Sequence, residues 1–478
     1  MATRDEEDSL GTVEVPQDAY YGSFTQRARG NFDLTGEEVG TELVHALGAV
    51  KEAAARANRD LGLLDREKAE AVIEAAGEVQ AGEFDDQFVL DPLQAGAGTP
   101  VHMNANEVIA NRATELLGGE KGEYLVHPND DVNMGQSSNN VVPTAIRLAA
   151  LEHAGTLLDE LEQLEDAFED KADEFDDAVK VGRTHLQDAV PVTAGQEFAA
   201  YAEHCGSGRE RIEESLDELR AVGLGGNAVG TGINTPPEFR DAVVAELADV
   251  TGRDLEPVDD AIAGTQTMTP FVPAADAVDS LSRDLVKMAD DLMLLSSGPV
   301  AGLGEVERPE VEPGSSIMPG KVNPSVLEAF KMSCLQVQGN ASVVRHAAEE
   351  GDLELNVNTP LIAYNLLGAL RLFTNAARMV RERCINGIEA NRERVADLFD
   401  GSTATATALS PYIGYDRTAQ AVHTAVDEGR PVRDVVEEEG WMTGEELDAV
   451  LDPEQMTGPH GVDKDIQETV QARLGDDG

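Results

Sequence analysis

Apolar residues that recur at steps of three and four over long stretches constrain this chain more than any other feature. Leu151, Ala154, Leu158, Leu161, Leu164, Phe168, Ala172 and Phe175 fall on one face if residues 151–180 are helical. Val278, Leu281, Leu285, Met288, Leu292 and Leu295 repeat the pattern across 274–296. Alternation with period two, the mark of a half-buried strand, is scarce. A long helix cannot bury its apolar stripe alone, so the spacing predicts an all-α fold in which long helices pack as a bundle. At 478 residues the chain can hold two or three domains around a large core.

Glycine- and proline-rich loops divide the chain. Gln94-Ala95-Gly96-Ala97-Gly98-Thr99-Pro100 precedes a helix, Ala221 to Pro237 is rich in Gly, Asn and Thr, and Glu312 to Gly320 forms a third loop. Boundaries near 136 and 393 give an N-terminal domain of 1–136, a central domain of 137–393 with the longest helices, and a small C-terminal helical domain of 394–478.

Charge narrows the partners. Asp and Glu number 91 against 36 Lys and Arg, a net charge of −55, and only nine of the basic residues are lysine. Nucleic acid and anionic membrane surfaces are repelled by such a field. The acids are dispersed, as in Asp170, Asp173, Glu174, Asp176 and Asp177, rather than gathered in a tail. No apolar run reaches 18 residues, and the start is acidic and polar, so neither a membrane span nor a secretory leader is expected. Cys205, Cys334 and Cys384 lie far apart with no CxxC pair, which fits a reducing cytoplasm. With no HxxxH pair, no EF-hand spacing and no dinucleotide fingerprint, neither a metal nor a cofactor is expected.

Three segments carry chemistry. In Gly314-Ser315-Ser316-Ile317-Met318-Pro319-Gly320-Lys321-Val322-Asn323, two serines follow a glycine, and a lysine and an asparagine follow them. A point charge and amide donors suit a carboxylate ligand, and loop amides can hold developing negative charge. Read alone, the segment is equally a helix-capping Ser-Ser with a surface lysine. In Gly182-Arg183-Thr184-His185-Leu186-Gln187-Asp188, a histidine beside a hydroxyl suits proton transfer, although a lone histidine is more often structural. In His127 to Asn140, Ser137, Ser138 and Asn139 supply donors for an oxygen-rich anion, or an N-cap run before a helix.

Together these segments resemble the fumarase/aspartase superfamily, whose signature loop is similar to Gly314–Asn323. The resemblance extends to Gly11–Pro16, Tyr20-Tyr21-Gly22, Asn104–Val108 and Gly230–Thr235. Ser138, where aspartases typically carry threonine, His185, Glu354-Leu355-Asn356-Val357 with Asn365, and Ile413–Asp416 resemble the class II fumarases. The resemblance implies a three-domain fold whose central bundle assembles into a tetrameric multi-helix core, with each active site shared by three subunits. It implies fumarate hydratase activity on a small dicarboxylate, without cofactor. Ser315 then takes the C3 proton of malate, and His185, paired with Glu328 and acting through water, helps hydroxide leave. Ala97, Gly98, Thr99, Ser137, Ser138, Asn139, Thr184, Ser316, Lys321, Val322 and Asn323 form the substrate shell, and His127, Pro128, Asn129 and Asp130 an accessory anion site. The chain departs from the pattern at Ala97, at Val101-His102, at Asn140 and at Tyr124, where relatives carry a serine, a Ser-Asn pair, an aspartate and a basic residue. Aspartate ammonia-lyase is the alternative within the superfamily, and a non-catalytic structural homologue a remote one. The dispersed, lysine-poor acidic surface resembles that of enzymes from cells that keep molar salt inside.

Overall fold

The computed structural model describes residues 2–475. Helices dominate. The longest are Ser138–Glu174, Ala194–Ser215, Val272–Leu295, Ser325–Glu349 and Thr359–Arg383. At 1.5 Å per residue the first is about 55 Å long. The periodicity of 274–296 is realised almost residue for residue. That of 151–180 stops short, because the helix ends at Glu174 and a strand begins at Val179. Among the described residues the strands form only two-stranded pairs, including Thr3–Asp8 with Gly11–Pro16 and Val179–Thr184 with Gln187–Thr193. The all-α expectation holds.

The chain forms two compact units, each gathered from three stretches. The first comprises Met1–Glu160, Gly208–Arg283 and Ser333–Asn375, the second Leu161–Ser207, Asp284–Met332 and Ala376–Gly478. The expected boundaries at 136 and 393 follow loops along the chain, whereas these units follow proximity in space.

In the first unit the helix Thr41–Asp60 is alanine-rich and buried on most of its faces. It packs against the helices Arg66–Gln80 and Phe239–Thr251. At Gly48 a Cβ would stand 2.7 Å from the Gln80 nitrogen, so only glycine admits so close a crossing. Asp65 caps Arg66–Gln80 by accepting from the Glu67 and Lys68 amides. The helix Thr99–Leu116 lies against Arg66–Gln80 and carries buried polar residues. One of them, Glu107, accepts from the amides of Gly22, Phe24 and Thr25 at 2.8–3.1 Å. It thereby caps the helix Ser23–Asn31, whose own N-cap, Gly22, has no side chain.

The second unit contains the hairpin of residues 179–193, on which the helix Arg392–Asp400 packs. It also contains a separate apolar cluster of short C-terminal helices, built on Leu409, Ile413, Val432, Val436, Leu447 and Val470.

Candidate active site

The histidine segment forms the turn of the hairpin in the second unit. Arg183 pairs with Asp188 and Thr184 with Gln187, leaving His185-Leu186 as a two-residue turn. Both turn residues have positive φ, +56° and +60°. Such a turn favours Asn-Gly, because an L side chain in the left-handed region costs about 1–2 kcal/mol. Here histidine and leucine hold it, and Leu186 is 72% exposed. Buried ion pairs at the base of the hairpin keep this strain in place. Lys180 Nζ lies 2.6 Å from Glu197 Oε2 and 2.8 Å from Glu305 Oε2, and the Arg183 guanidinium lies 2.6 Å from Glu305 Oε1. At Gly182 a Cβ would meet the Val190 carbonyl at 2.6 Å. Thr184 and His185 thus project on a strained tip above a rigid base, and strain of this kind clusters at functional sites.

The signature loop closes on itself. The Ser315 amide donates to the Lys321 carbonyl at 3.0 Å, and a Cβ on Gly314 would lie 1.9 Å from that oxygen, which leaves room only for glycine. The amides of Ile317 and Met318 both donate to Ser315 Oγ at 3.3 Å. Two N–H dipoles aimed at one hydroxyl oxygen favour negative charge on it. Lys321 Nζ donates to Asn323 Oδ1 at 2.7 Å, and Arg308 donates to the Asn323 carbonyl at 3.3 Å. Lys321, Val322, Asn323, Glu328, Arg308 and Arg394 line an open cleft of about 580 Å³. Glu328 sits exposed in the first turn of Ser325–Glu349, where the positive helix end favours a carboxylate. Within the chain His185 and Glu328 share no hydrogen bond or ion pair among the described residues. Thr184, His185, Ser316, Lys321 and Glu328 are all exposed.

The first unit holds the other candidates. Ala97 and Gly98 are buried with φ of +60° and +67°, and the Ala97 amide donates to the Val357 carbonyl at 2.7 Å. Thr99 then opens the helix Thr99–Leu116, with Pro100 following. The Asn139 amide donates to Ser137 Oγ at 3.3 Å, and Asn139 Nδ2 donates to the Ala228 carbonyl at 2.7 Å. Ser138 Oγ lies 2.8 Å from His102 Nδ1. Thr99 shares a cavity of about 690 Å³ with Tyr124, His127, Pro128 and Asn129. The amides of Asn129 and Asp130 are directed at His127 Nδ1 at 3.3 and 3.1 Å, so the ring caps the turn that follows it. Tyr124 donates its hydroxyl to Glu6 Oε2 at 2.8 Å. Burial, with Glu107 and Glu6 nearby, pushes its phenol pKa upward. Arg27, which also lines the cavity, is held by Asp8 at 2.7 and 3.0 Å. The Arg27 guanidinium is therefore already engaged by a carboxylate of the chain.

Sequence reasoning missed Lys51. Its side-chain nitrogen lies fully buried between His102 Nε2, Gln136 Oε1 and Asn133 Oδ1, and burial pushes its pKa well below the ordinary value. The signal was present, since Lys51-Glu52 interrupts an otherwise apolar run from Leu47 to Ala55. Among the described residues no group of three or more His, Cys, Asp or Glu could hold a metal ion, and no helix is long and apolar enough to cross a membrane.

Known proteins resemble this chain over nearly its whole length. Residues 11–339 match the family described as Lyase, and residues 406–458 match the fumarase C C-terminus. The chain is 47% identical over 460 residues to a class II fumarate hydratase of Ralstonia nicotianae, covering 96% of this chain and all of that one. It is also 47% identical to an aspartate ammonia-lyase of Pseudomonas aeruginosa, covering 96% and 98%. A crystal structure of class II fumarase from Schistosoma mansoni superposes with a TM-score of 0.92 at 37% identity, covering 96% of this chain and all of that one. The chain belongs to the lyase family that contains the class II fumarases and the aspartate ammonia-lyases.

Proposed function

We propose that this chain is a class II fumarate hydratase that interconverts fumarate and (S)-malate. The observation that carries the reading beyond family membership is the pair of amide N–H groups directed at Ser315 Oγ. In the malate-to-fumarate direction, the Ser315 alkoxide removes the C3 proton, and the electron pair flows into the neighbouring carboxylate to give an aci-carboxylate. Hydroxide then leaves C2, taking up a proton delivered through water by His185. Lys321, Asn323, Thr184 and the hydroxyls and amides of 137–139 and 99 supply positive charge and donors for the accumulating negative charge. One such donor is worth about 3 kcal/mol at the transition state.

The site requires more than one copy. The acid candidate His185 and its expected partner Glu328 share no hydrogen bond or ion pair within a chain, among the described residues, and Thr184, His185, Ser316, Lys321 and Glu328 are exposed. The helix Ser325–Glu349 that carries Glu328 also exposes Met332, at 64%, and Leu335, at 50%. Apolar side chains along a long helix suit a helix–helix interface between subunits. A homotetramer, with segments 137–139, 184–185 and 315–328 drawn from three subunits, accounts for both facts. A cytoplasmic location fits such a soluble metabolic enzyme.

The test is product identity. Purified protein in molar KCl is given fumarate with and without ammonium, and products are separated. Malate formed in both cases supports the reading, and aspartate formed only with ammonium replaces it with the ammonia-lyase.

A further inference from the structure

Donor and acceptor accounting around Lys51 leads to one residue whose role the active-site reading leaves open. Lys51 Nζ lies 2.6 Å from His102 Nε2, 2.8 Å from Gln136 Oε1 and 3.2 Å from Asn133 Oδ1. The two amides are oriented from behind. Asn133 Nδ2 donates to the Gln136 carbonyl at 3.3 Å, and Gln136 Nε2 donates to the carbonyls of Val132 at 3.0 Å and Met134 at 3.3 Å. Both amide oxygens therefore face Lys51 as acceptors and engage two of its N–H groups.

The third contact decides the rest. Burial pushes the Lys51 pKa well below its ordinary value, whereas two amide oxygens fixed as acceptors favour the charged form, to which their hydrogen bonds are stronger. That ammonium has one N–H left, and it donates to His102 Nε2. The neutral imidazole must then carry its proton on Nδ1, and that N–H donates to Ser138 Oγ at 2.8 Å. With its oxygen already accepting, Ser138 directs its own O–H away from the histidine. An amine at Lys51 would reverse every step: Nε2–H would donate to the lysine, bare Nδ1 would accept from Ser138, and the hydroxyl would be turned inward. An imidazolium would set an N–H against the lysine; burial and the lysine's charge push the His102 pKa well below its ordinary value, outweighing a contact with Asn133 that raises it. Among the described residues His102 is the single polar partner of the Ser138 hydroxyl.

We infer that His102 is a positioning residue through which the buried Lys51 ammonium aims the Ser138 hydroxyl at a substrate carboxylate. The inference rests on the dicarboxylate reading of the site. It makes three residues from three separate stretches one unit, in which the proton on Lys51 determines whether Ser138 offers a donor or an acceptor. A dianionic ligand requires the donor.

The experiment is a double-mutant cycle in the full-length protein in molar KCl, with fumarate as substrate. Ser138→Ala and His102→Leu are each expected to raise KM on the order of 10-fold, the loss of one hydrogen bond to a charged group. Turnover should change less, because the bond serves bound substrate and transition state alike. In the Ser138→Ala background His102→Leu should add nothing further. His102→Asn, which restores an N–H beside Ser138, should recover most of the KM. Additive losses in the double variant, with the wild type active, overturn the inference, because a merely structural histidine would act independently of Ser138. Wild-type protein without hydratase activity overturns the functional reading instead. Neutron diffraction from wild-type crystals then judges the relay by itself and covers the case in which His102→Leu fails to fold. A deuteron on His102 Nδ1 supports the relay, and one on Nε2 alone overturns it.

Discussion

Ser315 shows how a residue becomes chemically special without an unusual neighbour of its own type. Its oxygen receives two backbone amides from the turn that follows it, and a glycine before it lets the loop close. Ser315→Ala should therefore abolish most turnover while leaving circular dichroism and assembly unchanged. His185→Asn should cost less, about 10²-fold, since water can still occupy the proton-transfer position. Turnover measured under saturating malate checks both, and near-normal rates in Ser315→Ala would remove the serine from its role. Ser315, Lys321 and Asn323 could be chosen as candidates from the sequence because one continuous loop carries them. Lys51 and His102 could not, because their meaning lies in donor matching among residues 51, 102, 133, 136 and 138, which meet only after folding. The departure at His102 was visible as an oddity, but its lysine partner was not.

Among the elements, the 179–193 hairpin departs furthest from the sequence expectation. The helical pattern ends at Phe175, and the alternation that follows is short and broken by a shift in register between Val181 and Arg183. Its turn also lacks the usual glycine, so the hairpin had no local signature. Leu186→Gly should relieve the left-handed strain and stabilise the hairpin by about 1 kcal/mol. Because the same change loosens His185, turnover should fall while the thermal midpoint rises; a fall in both would show that the turn is not strained as described. In the C-terminal cluster, Thr443 and Glu446 form a capping box, and both Glu446 oxygens accept from Arg473 at 2.6 and 2.7 Å. The Arg473 hydrogen bonds lead in lowering the Glu446 pKa to about 2, from an ordinary value of 4.5. A depressed carboxylate stabilises the fold fully above its ordinary range, and that stabilisation fades as pH falls through about 2. Glu446→Gln keeps the capping geometry and removes the charge, so it should cost about 1–2 kcal/mol near neutrality. Urea melts at neutral and acidic pH measure this, and the deficit should shrink as pH approaches 2.

At the scale of the whole molecule, charge outweighs any single contact. One-to-one pairing of 36 cations with 91 acids leaves 55 carboxylates over. Exposed ion pairs such as Lys171 with Glu174 or Arg433 with Asp448 are each worth about 0–1 kcal/mol, too little to offset repulsion among the rest. Screening decides the outcome. At about 1 M salt the Debye length is roughly 3 Å, so a carboxylate feels little beyond its neighbouring side chain. At about 0.01 M it is roughly 30 Å, and repulsion reaches across whole subunits. Each subunit still has its buried core, including the fully enclosed Phe168, Phe198, Phe330 and Phe373, to hold its helices. The proposed tetramer would instead bring four like-charged bodies together, and its proposed shared sites would depend on that contact. Lowering KCl should therefore dissociate the assembly and abolish malate turnover before the helices melt. Sedimentation, malate assay and far-ultraviolet circular dichroism, followed together during dialysis, should lose signal in that order. A tetramer that stays intact and fully active at about 0.01 M salt would show that the acidic surface is not an adaptation to molar salt.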